Sequence, residues 1–88
     1  MKYKLLFSKR ALKFIDKKKD YGLKFVEILK IISNDNSLIS NFDIKKIKGN
    51  INHLYRLRVG KFRCIFKIDE DTITIYVIDI DSRGDIYK

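Results

Sequence analysis

Along the first part of the chain apolar residues recur every three or four positions; later they recur every two. The opening Lys2–Phe7 alternates, with Tyr3, Leu5 and Phe7 on one side, and predicts a short strand. Ser8 then has the chemistry of an N-cap for a helix running to about Lys18, with Ala11, Leu12 and Ile15 as its buried face. The polar run Lys17-Lys18-Lys19-Asp20 breaks that helix, and Asp20 is positioned to cap a second one from Tyr21 to about Ser33. Phe25, Ile28, Leu29 and Ile32 stand at i, i+3, i+4 and i+7 and form its apolar stripe. Asn34-Asp35-Asn36-Ser37 ends the helix. Residues 38–50 read as an ordered connection with a helical turn, closing at Gly49-Asn50.

From there the period is two. Leu54–Val59, Phe62–Ile68 and Thr72–Asp79 predict three strands of an antiparallel meander. Gly60-Lys61 has the form of a two-residue type II′ turn, and Glu70-Asp71 joins the next pair. If Val59 pairs with Phe62, Leu57 faces Cys64 and Tyr55 faces Phe66. If Asp69 pairs with Thr72, then Ile68, Phe66 and Cys64 face Ile73, Ile75 and Val77. The result is an α+β fold: an N-terminal strand, a helical hairpin, and a meander whose apolar face the helices cover.

The other face carries Arg56, Arg58, Arg63, Ile65, Lys67, Thr74, Tyr76 and Ile78. In this register Arg58 lies directly across from Arg63. Like charges so placed disfavour the sheet by a few tenths to about 1 kcal/mol, so their placement points to a use. Two such cations can grip one anion; the alternative is that they splay into water or pair with Asp79, Asp81 or Asp85. Residue choice sharpens this. The chain has fifteen Lys and five Arg, yet four of those Arg (Arg56, Arg58, Arg63 and Arg83) fall in its last third. Arg offers a planar fork that fits phosphate bidentately, whereas Lys is a mobile point charge.

Composition narrows the picture further. At 88 residues with 45% apolar content and a formal charge of +9, the chain reads as one globular domain suited to a polyanion or an acidic protein. Residues 1–50 hold thirteen basic and five acidic side chains, residues 51–88 seven and six, so the bulk charge is N-terminal and mostly Lys. Lys17–Lys19 reads as a solvated helix end. Cys64 is the only cysteine, which excludes an internal disulfide and fits a reducing cytoplasm. No apolar run spans a membrane or makes a signal peptide, and no Cys/His/carboxylate spacing suits a metal. No cofactor is implied.

The segment Tyr55-Arg-Leu-Arg-Val-Gly-Lys-Phe-Arg-Cys-Ile-Phe66 is similar to the YRxRxGxYRxxY pattern of the RelE/ParE superfamily of type II toxins. Ile44-Lys-Lys-Ile-Lys-Gly49 resembles the segment that leads into that family's sheet, and Ser82-Arg-Gly-Asp-Ile-Tyr87 resembles its terminal HRxxxY. The resemblance covers the whole chain, 1–88, and is strongest toward compact archaeal RelE-type members. It implies a RelE-like fold and a ribosome-dependent, metal-independent endoribonuclease that cuts mRNA in the A site. It also implies a cognate acidic antitoxin as partner.

By the same resemblance Arg58, Arg63, Arg83 and Tyr87 form the catalytic set; Arg56, Lys61, Lys67 and Tyr76, from their place in the basic meander, are candidates for binding RNA, with Tyr76 equally able simply to fill the strand surface. Ser82 stands where the family often has His, so a His-based acid/base scheme is not carried over. His53, the one histidine, reads first as a surface residue and second as a catalyst. ParE-type toxins share the fold and poison DNA gyrase instead; an RNA-binding member with weakened catalysis is the third reading.

Overall fold

The computed structural model describes residues 2–47 and 53–82. Strand β1 (Lys4–Phe7) leads into helix α1 (Lys9–Lys17) and helix α2 (Lys19–Asn34). A 3-10 turn at Asn36–Asn41 follows, then β2 (Ile44–Lys46), β3 (Leu54–Val59), β4 (Phe62–Asp69) and β5 (Thr74–Asp81). The five strands form one sheet in the order β1-β5-β4-β3-β2. All ladders are antiparallel except β1 with β5, which run parallel.

The helices cover one face. Phe25, Leu29 and Ile32 of α2 and Ala11 of α1 are fully buried against Leu57, Cys64, Phe66, Ile75 and Val77. Phe62 closes the hairpin end of this core, with its ring edge-on to Phe14 and Tyr21 at centroid distances of 5.0 and 4.5 Å. Two expected details differ. Leu12 is 52% exposed, and Phe14 takes its inward role. The cap of α2 is Lys18, which makes no side-chain hydrogen bond; Asp20 sits inside the first turn instead, its charge near the positive end of the helix. The two helices are nearly continuous at Lys18 and fold back because Gly22 meets Ile15: a Cβ there would lie 2.7 Å from the Ile15 Cα.

Ser8 caps α1 as expected, accepting from the Ala11 N–H at 3.1 Å. Its hydroxyl also donates to the Ile78 carbonyl in β5. That carbonyl belongs to an irregular point: pairing passes from Phe66↔Val77 to Ile65↔Asp79, so Ile78 is an extra residue in β5. The bulge flips the side-chain phase. Ile80 turns into the core beside Cys64, while Asp79 and Asp81 swing to the opposite face.

The β3–β4 register is the expected one, Val59↔Phe62 through Tyr55↔Phe66. The β4–β5 register is not. Asp69 pairs with Thr74 rather than Thr72, and Ile68 with Ile75 rather than Ile73. Neither Glu70 nor Asp71 easily takes the positive φ of a two-residue hairpin turn. Instead the Asp69 carboxylate accepts from the N–H groups of Asp71 (3.0 Å) and Thr72 (3.2 Å), building a wider loop. Ile73 ends that loop at φ 52, and its carbonyl accepts from the Lys4 N–H that starts β1. The slip of two residues preserves parity, so Ile75 and Val77 still face the core.

Candidate phosphate-binding face

The helix-free face of the sheet carries the candidate chemistry. Gly60 at φ 59 makes the tight turn between β3 and β4, and Lys61 keeps a negative φ, consistent with a type II′ hairpin. This turn fixes the register, and the register fixes which side chains are neighbours. One cross-strand row runs Lys45↔Arg56↔Ile65↔Asp79; the next runs Arg58↔Arg63↔Asp81. Adjacent strands lie about 4.8 Å apart and alternate residues about 6.6 Å apart. Lys45 and Arg56 in one row and Arg58 and Arg63 in the next therefore form a staggered block of cations across β2, β3 and β4.

The block is partly neutralised from its margins. Arg58 donates from Nε to the Asp43 carboxylate at 2.9 Å, and its backbone N–H donates to the Asp43 carbonyl at 3.0 Å. Asp81 stands opposite Arg63. Asp79 is drawn sideways, with Arg10 of α1 at 3.9 Å. Ile65, the cross-strand neighbour of Arg56, is only 2% exposed. The Nε atoms of Arg56 and Arg63 are buried and have no hydrogen-bond partner among the described residues. An unpaired buried donor is costly, and an anion able to accept from these guanidinium groups would relieve that cost.

The remaining sequence candidates divide. Lys67 and Tyr76 are cross-strand partners on the same face, with Tyr76 beside Leu6 of β1. They lie four residues along β4 from Arg63, roughly 13 Å, but Lys67 is one row and one strand from Arg56, roughly 8 Å, so they extend the block along the sheet. Lys61 does not join the block: its Nζ lies 5.6 Å from the ring of Phe62, leaning toward the helix-covered side. His53 is at the far end of β3, where its carbonyl accepts from the Ile68 N–H. That is three residues from Arg56, roughly 10 Å, and five from Arg58, roughly 16 Å, so it is not brought to the Arg58–Arg63 pair. Arg83 and Tyr87 lie outside the described residues.

Two participants escaped sequence reasoning. Lys45 enters through β2, a three-residue strand too short to show a period. Asp43 sits just before that strand, and only the ladder reveals its approach to Arg58; the signal that could have found both is the alternation Asp43-Ile44-Lys45. Cys64 is buried in the core, and burial together with the charge of Asp79 pushes its thiol well above the ordinary range. Among the described residues there is no cluster of three or more His, Cys, Asp or Glu able to hold a metal. None of the described helices is long and apolar enough to cross a membrane.

Comparison with known proteins agrees with this arrangement. Residues 5–87 match the family described as the ParE toxin of the type II toxin–antitoxin system parDE. The chain is 33% identical to the candidate toxin RelE1 of Methanocaldococcus jannaschii, over 100% of this chain and 98% of that protein. Its fold superposes on the archaeal RelE–RelB complex of Pyrococcus horikoshii with a TM-score of 0.79 at 25% identity, covering 97% and 99% of the two chains. The RelB–RelE antitoxin–toxin complex of Methanococcus jannaschii gives 0.71 at 34% identity, covering 93% and 94%.

Proposed function

Because the chain belongs to the RelE/ParE family of type II toxin–antitoxin toxins, we propose that it is a ribosome-dependent endoribonuclease that cuts mRNA in the A site and halts translation in the cytoplasm. The observation that carries this reading is the cross-strand block of Lys45, Arg56, Arg58 and Arg63. A protein-binding poison needs no such concentration of guanidinium forks, whereas a reacting phosphodiester does.

The reaction is attack of a ribose 2′-oxygen on the adjacent phosphorus. The 2′-O–P bond forms, the P–O5′ bond breaks, the 2′ proton leaves and the 5′-oxygen gains one. The products are a 2′,3′-cyclic phosphate and a 5′-hydroxyl. Arg63 and Arg58 clamp the non-bridging oxygens as charge grows on them, and Arg56 and Lys45 hold the flanking phosphate. Arg83 is assigned to the leaving oxygen and Tyr87 to the base or 2′-hydroxyl, from the family pattern alone. Arg remains protonated at neutral pH and is a poor base, so positioning and electrostatics dominate and the ribosome supplies a substrate already bent for in-line attack. Lys67 and Tyr76 extend the track for a neighbouring nucleotide. The partner that restrains this activity is an acidic antitoxin, in keeping with the RelB-bound archaeal structures.

The test is primer extension on mRNA after induction, and on purified ribosomes with added protein. Cuts within translated codons are expected, with little cleavage of the same RNA free of ribosomes and no loss of activity to EDTA at magnesium levels that preserve ribosomes. The matching ParE family gives the second reading. Intact mRNA together with inhibited supercoiling and double-strand DNA breaks would establish gyrase as the target instead.

A further inference from the structure

A clamp of guanidinium groups leaves one task of the reaction open, the removal of the 2′ proton. A carboxylate is ionised at neutral pH and can take a proton there, where a guanidinium cannot. Among the described residues three carboxylates stand at the margins of the cation block, and backbone engages two of them. Asp79 accepts from the Ile80 N–H at 2.9 Å and leans toward Arg10, and Asp81 accepts from the Ser82 N–H at 2.6 Å. Asp43 is held by the clamp itself. Its carbonyl accepts from the Arg58 N–H at 3.0 Å, and one oxygen of its carboxylate accepts from the Arg58 Nε at 2.9 Å. Both side chains stay open to an incoming strand, Arg58 46% and Asp43 38% exposed.

The shape of the fork sets what fits beside this carboxylate. The Asp43 bond uses Nε and leaves the neighbouring terminal N–H of Arg58 outside it. Acceptors on adjacent prongs of one guanidinium lie side by side, as the two oxygens of a bidentate carboxylate do. A ribose 2′-oxygen on that prong is within hydrogen-bond reach of Asp43 while the phosphate bridges Arg58 and Arg63. We propose that Asp43 is the general base of the cleavage; this rests on the nuclease reading above. The 2′-hydroxyl proton passes to the Asp43 carboxylate and the 2′-oxygen bonds to phosphorus. The P–O5′ bond breaks with its electron pair on the 5′-oxygen, which takes a proton from water. Asp43 afterwards returns its proton to solvent. Cations surround the carboxylate: Arg58 across from it on β3, Lys45 two positions along its own side, Arg56 opposite Lys45, and Arg63 beyond Arg58 on β4, with Asp81 farther out. They draw the phosphate in despite the negative charge of the base.

The experiment is single-turnover cleavage on programmed ribosomes between about pH 6.5 and 8.5, with the parent chain, Asp43→Asn, Asp43→Ser and Asp43→Glu. Asn keeps an oxygen able to accept from the Arg58 Nε, so it retains the positioning of Arg58 and removes the base. Asp43→Asn is expected to slow cleavage roughly 10²–10³-fold at neutral pH, with the half-saturating protein concentration unchanged or lower. Without a general base, solvent hydroxide must take the proton. The Asn and Ser variants are therefore expected to quicken about tenfold per pH unit, while the parent and Asp43→Glu stay nearly level. Amide spectra check the fold, and either carboxylate-free variant suffices if the other does not fold. Cleavage by these variants at the parent's rate, a slowed variant with the parent's level profile, or a loss confined to the half-saturating concentration would overturn the proposal alone. A parent chain that leaves translated mRNA intact overturns the nuclease reading, and this proposal with it.

Discussion

Arg58 and Arg63 face each other directly across β3 and β4, two like charges held as cross-strand partners. Asp43 offsets one of them through the Nε of Arg58, leaving Arg63 with a buried, unpartnered Nε among the described residues. This arrangement is unfavourable for the sheet and useful for an anion. Arg63→Ala is therefore expected to lower mRNA cleavage by about 10²–10³-fold, the usual cost of one donor to developing charge. The same substitution is expected to leave stability unchanged or raised by up to about 1 kcal/mol, since it removes repulsion. Cleavage on programmed ribosomes and urea denaturation of one preparation check both halves. A variant that lost activity by unfolding would contradict the assignment.

Ser8 joins the first helix to the last strand through one hydroxyl, accepting from Ala11 and donating to Ile78. Ser8→Ala removes the cap and orphans the bulge carbonyl. A loss of about 2 kcal/mol is expected from the two together, and Ser8→Thr is expected to recover most of it. Chemical denaturation of the three proteins reads the difference.

The glycines at positions 22 and 60 are expected to resist replacement for different reasons. At Gly22 a Cβ would meet backbone, the Ile15 Cα at 2.7 Å, so Gly22→Ala forces the helices apart despite the better helix propensity of Ala. At Gly60 the obstacle is conformational: φ is 59, and a new Cβ would also approach the Tyr21 ring at 3.1 Å. Each substitution is expected to cost about 1–3 kcal/mol, measurable as a lowered Tm. Gly60→Asn, which tolerates the left-handed region, is expected to cost less than Gly60→Ala.

The Cys64 thiol is raised by burial first and by Asp79 second, so it stays protonated in the folded chain well past its ordinary value of 9.0. A group whose pKa is raised on folding favours the native state below the unfolded value and loses that contribution as pH climbs above it. Stability is thus expected to decline above about pH 9 in the parent chain and less so in Cys64→Ala, whose baseline stability is lower. At pH 8 iodoacetamide is expected to leave Cys64 unmodified until urea is added; mass spectrometry reads the adduct.

Much of this architecture was legible in the chain because one face of every long strand is buried. Alternation at Tyr55, Leu57, Cys64, Phe66 and Ile68 admits a single parity, and Gly60 fixes one hairpin, so the Arg58–Arg63 pairing follows from sequence. The β4–β5 slip was not legible: it depends on the Asp69 carboxylate building a loop, a local hydrogen-bond choice that leaves the hydrophobic pattern intact. Nor was the bulge at Ile78. Within Ile75–Ile80 apolar residues occupy both parities, and only the break in the ladder shows that Ile80 rather than Asp79 turns inward. The alternation Asp43-Ile44-Lys45 hints at a strand, but that Asp43 meets Arg58 depends on tertiary pairing over fifteen residues.

The parallel pairing of β1 with β5 also dictates a schedule. Of the five described strands β1 is synthesised first, and β5, its neighbour in the sheet, is synthesised last. Ser8 meets Ile78 across 70 positions of sequence. At about 5–20 residues per second, the leading strand waits roughly 4–14 s for its partner to be made. During that interval Leu5 and Phe7 have no sheet to join, and the helical hairpin lacks part of the surface it covers. Contacts of such long range close late and slowly. Until β5 is made, the edge that β1 offers stays open, whatever order the remaining contacts form in.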